Sequence, residues 1–326
     1  MVEPGIGAVR ALVMDGGTIT EAHFERGDGG PLPGTVHIAR LTTILDPGQR
    51  GIVALGDGEA WIEPLPPCPE GGLLRVEVTR AAIHEAGRPR LAKVRPVDGD
   101  ASAEGQVHAG RDLLARLQAA GHRITLLSGH GEDRLEAAGW SEIVEAVQAG
   151  HLPFPGGLLT ISPTPAMTVI DVDGAGDLTA LSEAAAVAVA AAIQRFDITG
   201  SIGVDLPTLE GKAMRTLIGA ILDAHLPAPF ERTAVNGFGF VQIVRPRQRA
   251  SFVEAVRTPG FAALELLRRA ARGGPGSRVL VAPPAMIAWL ERRPELTTAL
   301  GRVIGGEVRL RADAALPIKA AYAEFA

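Results

Sequence analysis

Hydrophobic and polar positions alternate through the first third of the chain, which is typical of β-strands. Residues 9–14 and 18–24 alternate in this way on either side of an Asp-Gly-Gly turn, so they predict a hairpin. Pro- and Gly-rich turns then separate five further short strand-like runs, at residues 36–43, 51–55, 60–62, 73–79 and 91–94. Short strands at this spacing predict a small barrel or sandwich of about sixty residues.

After a polar joint at residues 96–105, apolar residues recur at helical spacing between strand-like runs, which predicts an α/β unit. The predicted helices lie near residues 113–117, 135–147, 181–196 and 209–224. The predicted strands cover residues 124–127, 158–162, 166–172, 201–204, 233–235 and 238–244. Residues 251–260 resemble a linker, and beyond it we expect a small α/β domain with helices 262–271, 285–291 and 295–303 and strands 278–281 and 307–310.

Composition places the 326-residue chain among globular proteins of roughly two or three domains, with 46% hydrophobic and 21% charged residues. The net charge of −5 gives no overall basic field, so any nucleic-acid contact would need local patches or a bridging cation. A single cysteine, Cys68, excludes an internal disulfide and fits a cytoplasmic protein. The N-terminus lacks the pattern of a secretory signal. The apolar run at 184–193 is shorter than a membrane span, so we expect a buried helix there.

The first candidate functional residues are aspartates at the ends of predicted apolar strands. Asp171 and Asp173 follow such a strand at alternate positions, so their side chains should point to the same side. Asp205 ends the next strand, after one helix; this connection predicts parallel strands with the acids at one sheet edge. Clustered carboxylates need a cation or donors, and Mg²⁺ prefers oxygen ligands. A solvated turn with Asp as a helix cap is the alternative.

Three arginines at alternate positions, Arg245, Arg247 and Arg249, follow the last strand of this unit. In extended backbone they would share one face and could bind phosphate through bidentate hydrogen bonds. The alternative is a solvated edge strand, in which the charges and Pro246 prevent pairing with another strand. Together with a metal held by acids, the arginines indicate phosphodiester or phosphoryl chemistry.

Four stretches resemble motifs of the ribonuclease E/G family in order and spacing. They are Leu-Pro-Phe-Pro-Gly-Gly at 152–157, Met-Thr-Val-Ile-Asp-Val-Asp-Gly at 167–174, Asp-Ile-Thr-Gly-Ser-Ile-Gly-Val-Asp at 197–205 and Phe-Gly-Phe-Val-Gln-Ile-Val-Arg-Pro-Arg-Gln-Arg at 238–249. The resemblance implies a single-strand-specific endoribonuclease that leaves 5′-phosphate and 3′-hydroxyl ends, with Asp171 and Asp205 holding Mg²⁺. Asp173, where the family has Asn, would be a supporting ligand, and Trp61 would be the nearest aromatic for RNA.

The resemblance also predicts the domain organisation. Its parts are N-terminal strands of an RNase H-like subdomain (1–34), an OB-like RNA-binding barrel (35–97), a helical RNase H-like connection (98–157), a DNase I-like catalytic subdomain (158–250) and a small C-terminal α/β domain (251–326). The family's 5′-monophosphate sensor and its zinc-linking cysteines are missing here. We therefore expect similar cleavage of different 5′ ends and no zinc-linked tetramer, although a homodimer remains open. No membrane partner is expected.

Three other functions compete with this interpretation. The chain could be a catalytically weak relative that binds RNA without cutting it. The string Asp-Val-Asp-Gly at 171–174 also resembles the first motif of haloacid-dehalogenase-type phosphohydrolases, but Ala175 replaces the expected Thr. A calcium loop fits less well, because Ala175 and Ser182 occupy ligand positions.

Overall fold

The computed structural model describes residues 1–28, 30–56, 58–85, 88–129 and 131–326, with only the backbone described at 84, 85, 88 and 89. The fold is mixed α/β, with a closed five-stranded barrel and several further sheets. This confirms the predicted class in outline.

The N-terminal sheet is antiparallel and contains the predicted hairpin. Its strands are β1 (Val2–Gly5), β2 (Ala8–Asp15) and β3 (Thr18–Arg26). Alternation gives it two apolar faces, because Leu12 and Ala22 face the central core while Ala11 packs with Leu113 of the first helix. Strand β1 was not predicted.

The barrel is closed by pairing of its first strand with its fourth, which settles the choice between barrel and sandwich. Its strands are β4 (Val36–Asp46), β5 (Arg50–Leu55), β6 (Gly58–Ile62), β7 (Leu73–Arg80) and, after the short pair β8 (Ile83–Glu85) and β9 (Arg88–Arg90), β10 (Ala92–Pro96). Strand β11 (Gly105–His108) adds to β4 just after the predicted polar joint, within the segment 98–157 that was predicted to be a helical connection. Strands β8, β9 and β11 were not predicted.

Three helices follow the barrel: α1 (Leu113–Ala119), α2 (Arg134–Ala137) and α3 (Trp140–Ala149). The strand predicted at 124–127 is wrong, because only Leu126 forms a bridge there, to Val2 of β1. Leu126 is 59% exposed, so that apolar run does not complete a buried strand.

The central sheet has six strands in the order β12-β13-β14-β15-β17-β16, and only β14 and β15 among them are parallel. The strands are β12 (His151–Phe154), β13 (Gly157–Pro163), β14 (Thr168–Gly174), β15 (Gly200–Asp205), β16 (Glu231–Arg232) and β17 (Phe240–Arg245). Helices α4 (Leu178–Arg195) and α5 (Lys212–His225) share one core with the inward side chains of this sheet. The opposite face carries partly or fully exposed side chains, among them those of Asp171, Asp173 and Asp205.

Helix α4 alone, among the helices described, has the length and composition to cross a membrane. Its Ala185, Val189 and Ile193 are fully buried against the central sheet and its neighbours. Its apolar character therefore reflects burial in the core, as the sequence predicted.

The linker predicted at 251–260 is wrong. Helix α6 (Phe252–Ala255) begins there with a capping box between Ser251 and Glu254. Phe252 is 3% exposed and its ring lies 5.6 Å from that of Trp140 and 6.2 Å from that of Phe196. The segment is part of the central core.

The C-terminal unit has its own apolar core and a sheet in the order β19-β18-β20. It contains α7 (Pro259–Arg272), β18 (Arg278–Ala282), α8 (Pro284–Glu291), α9 (Pro294–Ile304), β19 (Val308–Ala312), a 3₁₀ turn (Ile318–Ala320) and β20 (Tyr322–Phe325). The predicted helices and strands are confirmed, and β20 is additional.

Candidate metal centre

Asp171 and Asp205 are direct partners across the parallel strands β14 and β15. Ile170 and Val172 point into the core, so alternation sends Asp171 to the opposite face of the sheet. Asp205 follows the buried Val204 in the same way and is exposed, whereas Asp171 is half-buried. The prediction that these acids meet at one sheet edge is confirmed by this register.

The helix-cap role belongs to another aspartate. Asp177, beyond the glycine-rich turn, accepts hydrogen bonds from the backbone N–H groups of Thr179 at 2.7 Å and Ala180 at 3.2 Å. It thereby caps helix α4. Asp171 and Asp173 are part of strand β14 and are left free of that structural role.

The acid pair has no neutralising group in the part of the chain that the structure describes. There, the carboxylates of Asp171, Asp173 and Asp205 accept no hydrogen bond and form no ion pair. Like charges on directly opposite residues repel each other, and a bound cation removes that repulsion. Mg²⁺ suits such a pair because it usually keeps several waters and takes one or two protein carboxylates. The donor set therefore fits the ion.

Asp173 does not join the pair as a third close ligand. It lies two residues beyond Asp171 on the same face, about 6 to 7 Å along the strand, and pairs with Leu158 of β13. Within the described ranges there is no group of three or more Asp, Glu, His or Cys side chains placed to hold an ion. Of the three metal ligands that the sequence suggests, Asp171 and Asp205 are therefore the two placed to share one ion.

Further polar side chains continue the row of the acid pair across the sheet. Thr160 is the partner of Asp171 on β13, and His151 is the partner of Thr160 on β12. The Oγ1 of Thr160 lies 3.3 Å from the Nδ1 of His151. On the other side Phe240 is the partner of Asp205, so an aromatic ring ends the polar row.

The arginines do not flank the acids. Arg245 pairs with Gly200, five residues from the Asp205 end of β15, which is about 16 Å along the strand. Its Nη1 donates to the Ile198 carbonyl oxygen at 2.7 Å, and burial lowers its pKa. Arg247 forms an ion pair with Glu254. The expectation of one phosphate-binding face beside the metal is wrong, because β17 runs antiparallel to β15.

Arg249 and Trp61, the other two predicted RNA-binding residues, are both partly exposed. Arg249 makes no hydrogen bond or ion pair with the residues described, and it borders a cleft between the barrel and the central unit. Trp61 lies on the outer side of β6, between Ile52 of β5 and Lys93 of β10. Its ring is partly exposed and could contact a ligand on the barrel surface.

An exposed phenylalanine beside the acid pair was missed by the sequence reasoning. Phe238 is 81% exposed in the turn before β17. The Asn236 side chain accepts from the N–H groups of Phe238 at 2.9 Å and Phe240 at 3.0 Å. Gly239 packs so closely on the carbonyl oxygen of Leu206 that a Cβ would lie 2.2 Å from it, which fixes the turn next to Asp205. The Asn-Gly-Phe-Gly string was the available signal.

Comparison with known proteins adds no relative: no family model matches the chain, and no curated protein sequence matches it significantly. The resemblance to the ribonuclease E/G family therefore depends on the motifs quoted above.

Proposed function

We propose that this chain is a Mg²⁺-dependent endoribonuclease that cleaves single-stranded RNA in the cytoplasm. The observation that carries the proposal is the pairing of Asp171 with Asp205 across parallel strands, without a cationic partner among the described residues. The resemblance of the surrounding motifs selects RNA as the substrate. In this proposal the barrel corresponds to the family's OB-like RNA-binding barrel, and the central sheet to its DNase I-like subdomain.

The carboxylates of Asp171 and Asp205 hold and orient the ion in this proposal. When bound, Mg²⁺ supplies Lewis-acid stabilisation of the phosphoryl oxygens and of the leaving oxygen. Asp173, two residues away and exposed, contributes negative charge at a distance that allows a water-mediated contact.

Two aromatic side chains support binding of an unpaired strand. Phe238 presents an exposed ring in the turn that packs against Leu206, the residue after Asp205, and Trp61 presents one on the barrel beside Lys93, which is paired with Glu63 at 2.7 Å. Bases of any identity stack on such rings. Double-stranded RNA hides its base faces, so these contacts select single strands.

The test is cleavage of an AU-rich, unstructured RNA carrying a fluorescent label, with and without Mg²⁺. We expect Mg²⁺-dependent cleavage that leaves 5′-phosphate ends, and loss of at least about a hundredfold in rate for Asp171→Asn and Asp205→Asn, because each change removes one of two charged ligands. Product ends are read by their sensitivity to a 5′-phosphate-dependent exonuclease.

Two matched variants serve as controls. Asp173→Asn introduces the Asn that the ribonuclease E/G family has at this position, and it should keep most of the activity. Glu145→Gln changes an exposed carboxylate on α3 and should leave the rate unchanged. Absence of Mg²⁺-dependent cleavage by the folded wild type, on every unstructured RNA tried, would contradict the proposal.

Binding of RNA without cleavage is the second candidate. It is favoured by the lack of a third close ligand among the described residues and by the distance of Arg245 from the acids. It predicts that wild type and Asp205→Asn bind labelled RNA equally and that neither cuts it.

A further inference from the structure

A cationic cleft of about 530 Å³ lies where the barrel meets the central unit. Its walls come from β7, β10, α1 and the segments around β11 and after β17. Four arginines line it: Arg95, Arg111, Arg116 and Arg249. Arg249 follows the end of β17 that is remote from Asp205, so the cleft is separate from the acid pair.

Only part of this positive charge is neutralised by the protein. Arg95 is paired with Glu77 at 2.5 Å, and Arg116 with Glu25 at 3.0 Å. The guanidinium groups of Arg111 and Arg249, by contrast, make no hydrogen bond or ion pair with any residue that the structure describes. Two unpaired guanidiniums in one concave site favour an anion, because each offers several N–H donors in a fixed plane.

Both unpaired arginines are attached to well-anchored backbone. The N–H of Ala81 in the barrel donates to the Gln248 carbonyl oxygen at 2.8 Å, next to Arg249. Gly110 precedes Arg111 and packs so tightly that a Cβ would lie 2.7 Å from the Pro33 carbonyl oxygen. The backbone positions of the two donors are therefore fixed before a ligand arrives.

A smaller pocket of about 120 Å³ adjoins the cleft and shares Pro33, Arg116 and Arg249 with it. Its lining combines apolar side chains, among them Phe24, Leu32 and Ala82, with Glu25 and Glu254, whose carboxylates are paired with Arg116 and Arg247. The two spaces thus offer neighbouring cationic and apolar environments to one ligand.

We infer that this cleft binds a small phosphorylated molecule, with its phosphate groups on Arg111 and Arg249 and a compact ring or apolar part in the pocket at Phe24. Guanidinium matches phosphate oxygens in bidentate geometry. The volume lies within the range of small-molecule sites, which also combine apolar walls with a few polar groups. Such a ligand would bridge the barrel and the central unit.

Calorimetric titration of the full chain with ADP and with inorganic pyrophosphate tests the inference. We expect ADP to bind more tightly than pyrophosphate, because only ADP has a ring to contact the apolar side chains at Phe24 and Leu32. Arg111→Gln and Arg249→Gln should each weaken ADP binding about tenfold, as expected for loss of a hydrogen bond to a charged group. Arg302→Gln, an exposed arginine on α9 without a described partner, is the matched control and should bind as wild type.

Thermal unfolding of each variant shows whether its fold is intact, and Asp205→Asn should bind ADP normally because the two sites are separate. The inference is overturned by a folded wild type that binds neither probe. It is also overturned by unchanged ADP binding in a folded variant that carries both Arg111→Gln and Arg249→Gln, or by binding of single-stranded RNA alone.

Discussion

At the scale of the residue, position in the sheet decides what each acid can do. Asp171 and Asp205 face each other because their strands are parallel and in register, while Asp177 is engaged as the cap of α4. The sequence could predict the acid pair from strand periodicity and from the single intervening helix. The sequence could not show that Asp173 lies apart from this pair, because the strand partner of Asp173 depends on where β15 ends relative to β14.

Phe238 gives a residue-scale prediction. Phe238→Ala should lower kcat/KM for unstructured RNA about tenfold, because stacking of one base on an aromatic ring is worth roughly 1 to 3 kcal/mol. Steady-state cleavage of labelled RNA measures this change. Phe238→Trp should retain activity, and Phe325→Ala, which removes an exposed ring on the C-terminal sheet, should have no effect. Equal kcat/KM values for wild type and Phe238→Ala would exclude a stacking role.

At the scale of the element, strong hydrophobic periodicity predicted most helices and strands. Elements with weak periodicity could not be predicted from the sequence. Strand β11 has four exposed residues, and β12 alternates around Pro153, so neither shows a buried strand's pattern. Both are held by backbone pairing with β4 and β13. The pairing of β11 with β4 joins residues about 70 positions apart and leaves no local signal in the sequence, whereas β12 forms a local hairpin with β13 across the turn at 155–156. The same limit applies to α6, whose few apolar residues fit a linker until its neighbours are known.

Helix α6 provides the prediction at this scale. Phe252→Ala should reduce the free energy of unfolding by about 3 to 5 kcal/mol, because it leaves a cavity between Trp140 and Phe196. Urea unfolding followed by circular dichroism gives the value. Phe238→Ala, at an 81% exposed site, is the control and should change stability by no more than about 0.5 kcal/mol. A similar loss in both variants would argue against a core role for α6.

At the scale of the whole molecule, a buried network of charges joins the two ends of the chain. Arg268 and Arg272 of α7 meet Asp133 at the start of α2, and Arg272 also pairs with Glu3 of β1 at 2.7 Å. Arg10 of β2 pairs with both Glu3 and Asp133. The C-terminal unit is thereby fastened to the N-terminal sheet by charges that sequence spacing alone could not pair.

Asp133 makes this network sensitive to acid. Burial alone would raise the pKa of Asp133, but the Glu136 N–H and the nearby guanidiniums of Arg268, Arg10 and Arg272 hold the net value below its ordinary 3.8. Because the folded pKa is depressed, this stabilisation is present above the unfolded pKa and is lost as pH falls through the folded pKa. We expect Asp133→Asn to cost about 1 to 3 kcal/mol at neutral pH and to weaken the loss of stability below pH 4.

Urea titrations at a series of pH values measure this effect. Asn preserves the N-cap of α2, so the change isolates the charge. Glu145→Gln, at an exposed site, should leave the pH dependence unaltered. Parallel stability curves for wild type and Asp133→Asn would contradict the assignment.

The central claim is that Asp171 and Asp205 together bind one divalent ion. Its most direct test is the anomalous signal of Mn²⁺ in crystals of the wild type, with Mn²⁺ standing in for Mg²⁺. We predict one ion between the two carboxylates, about 2.1 Å from an oxygen of each, and no such ion in Asp205→Asn. An acid pair without an ion in Mn²⁺-saturated crystals, or an ion bound elsewhere and unaffected by Asp205→Asn, would contradict the account.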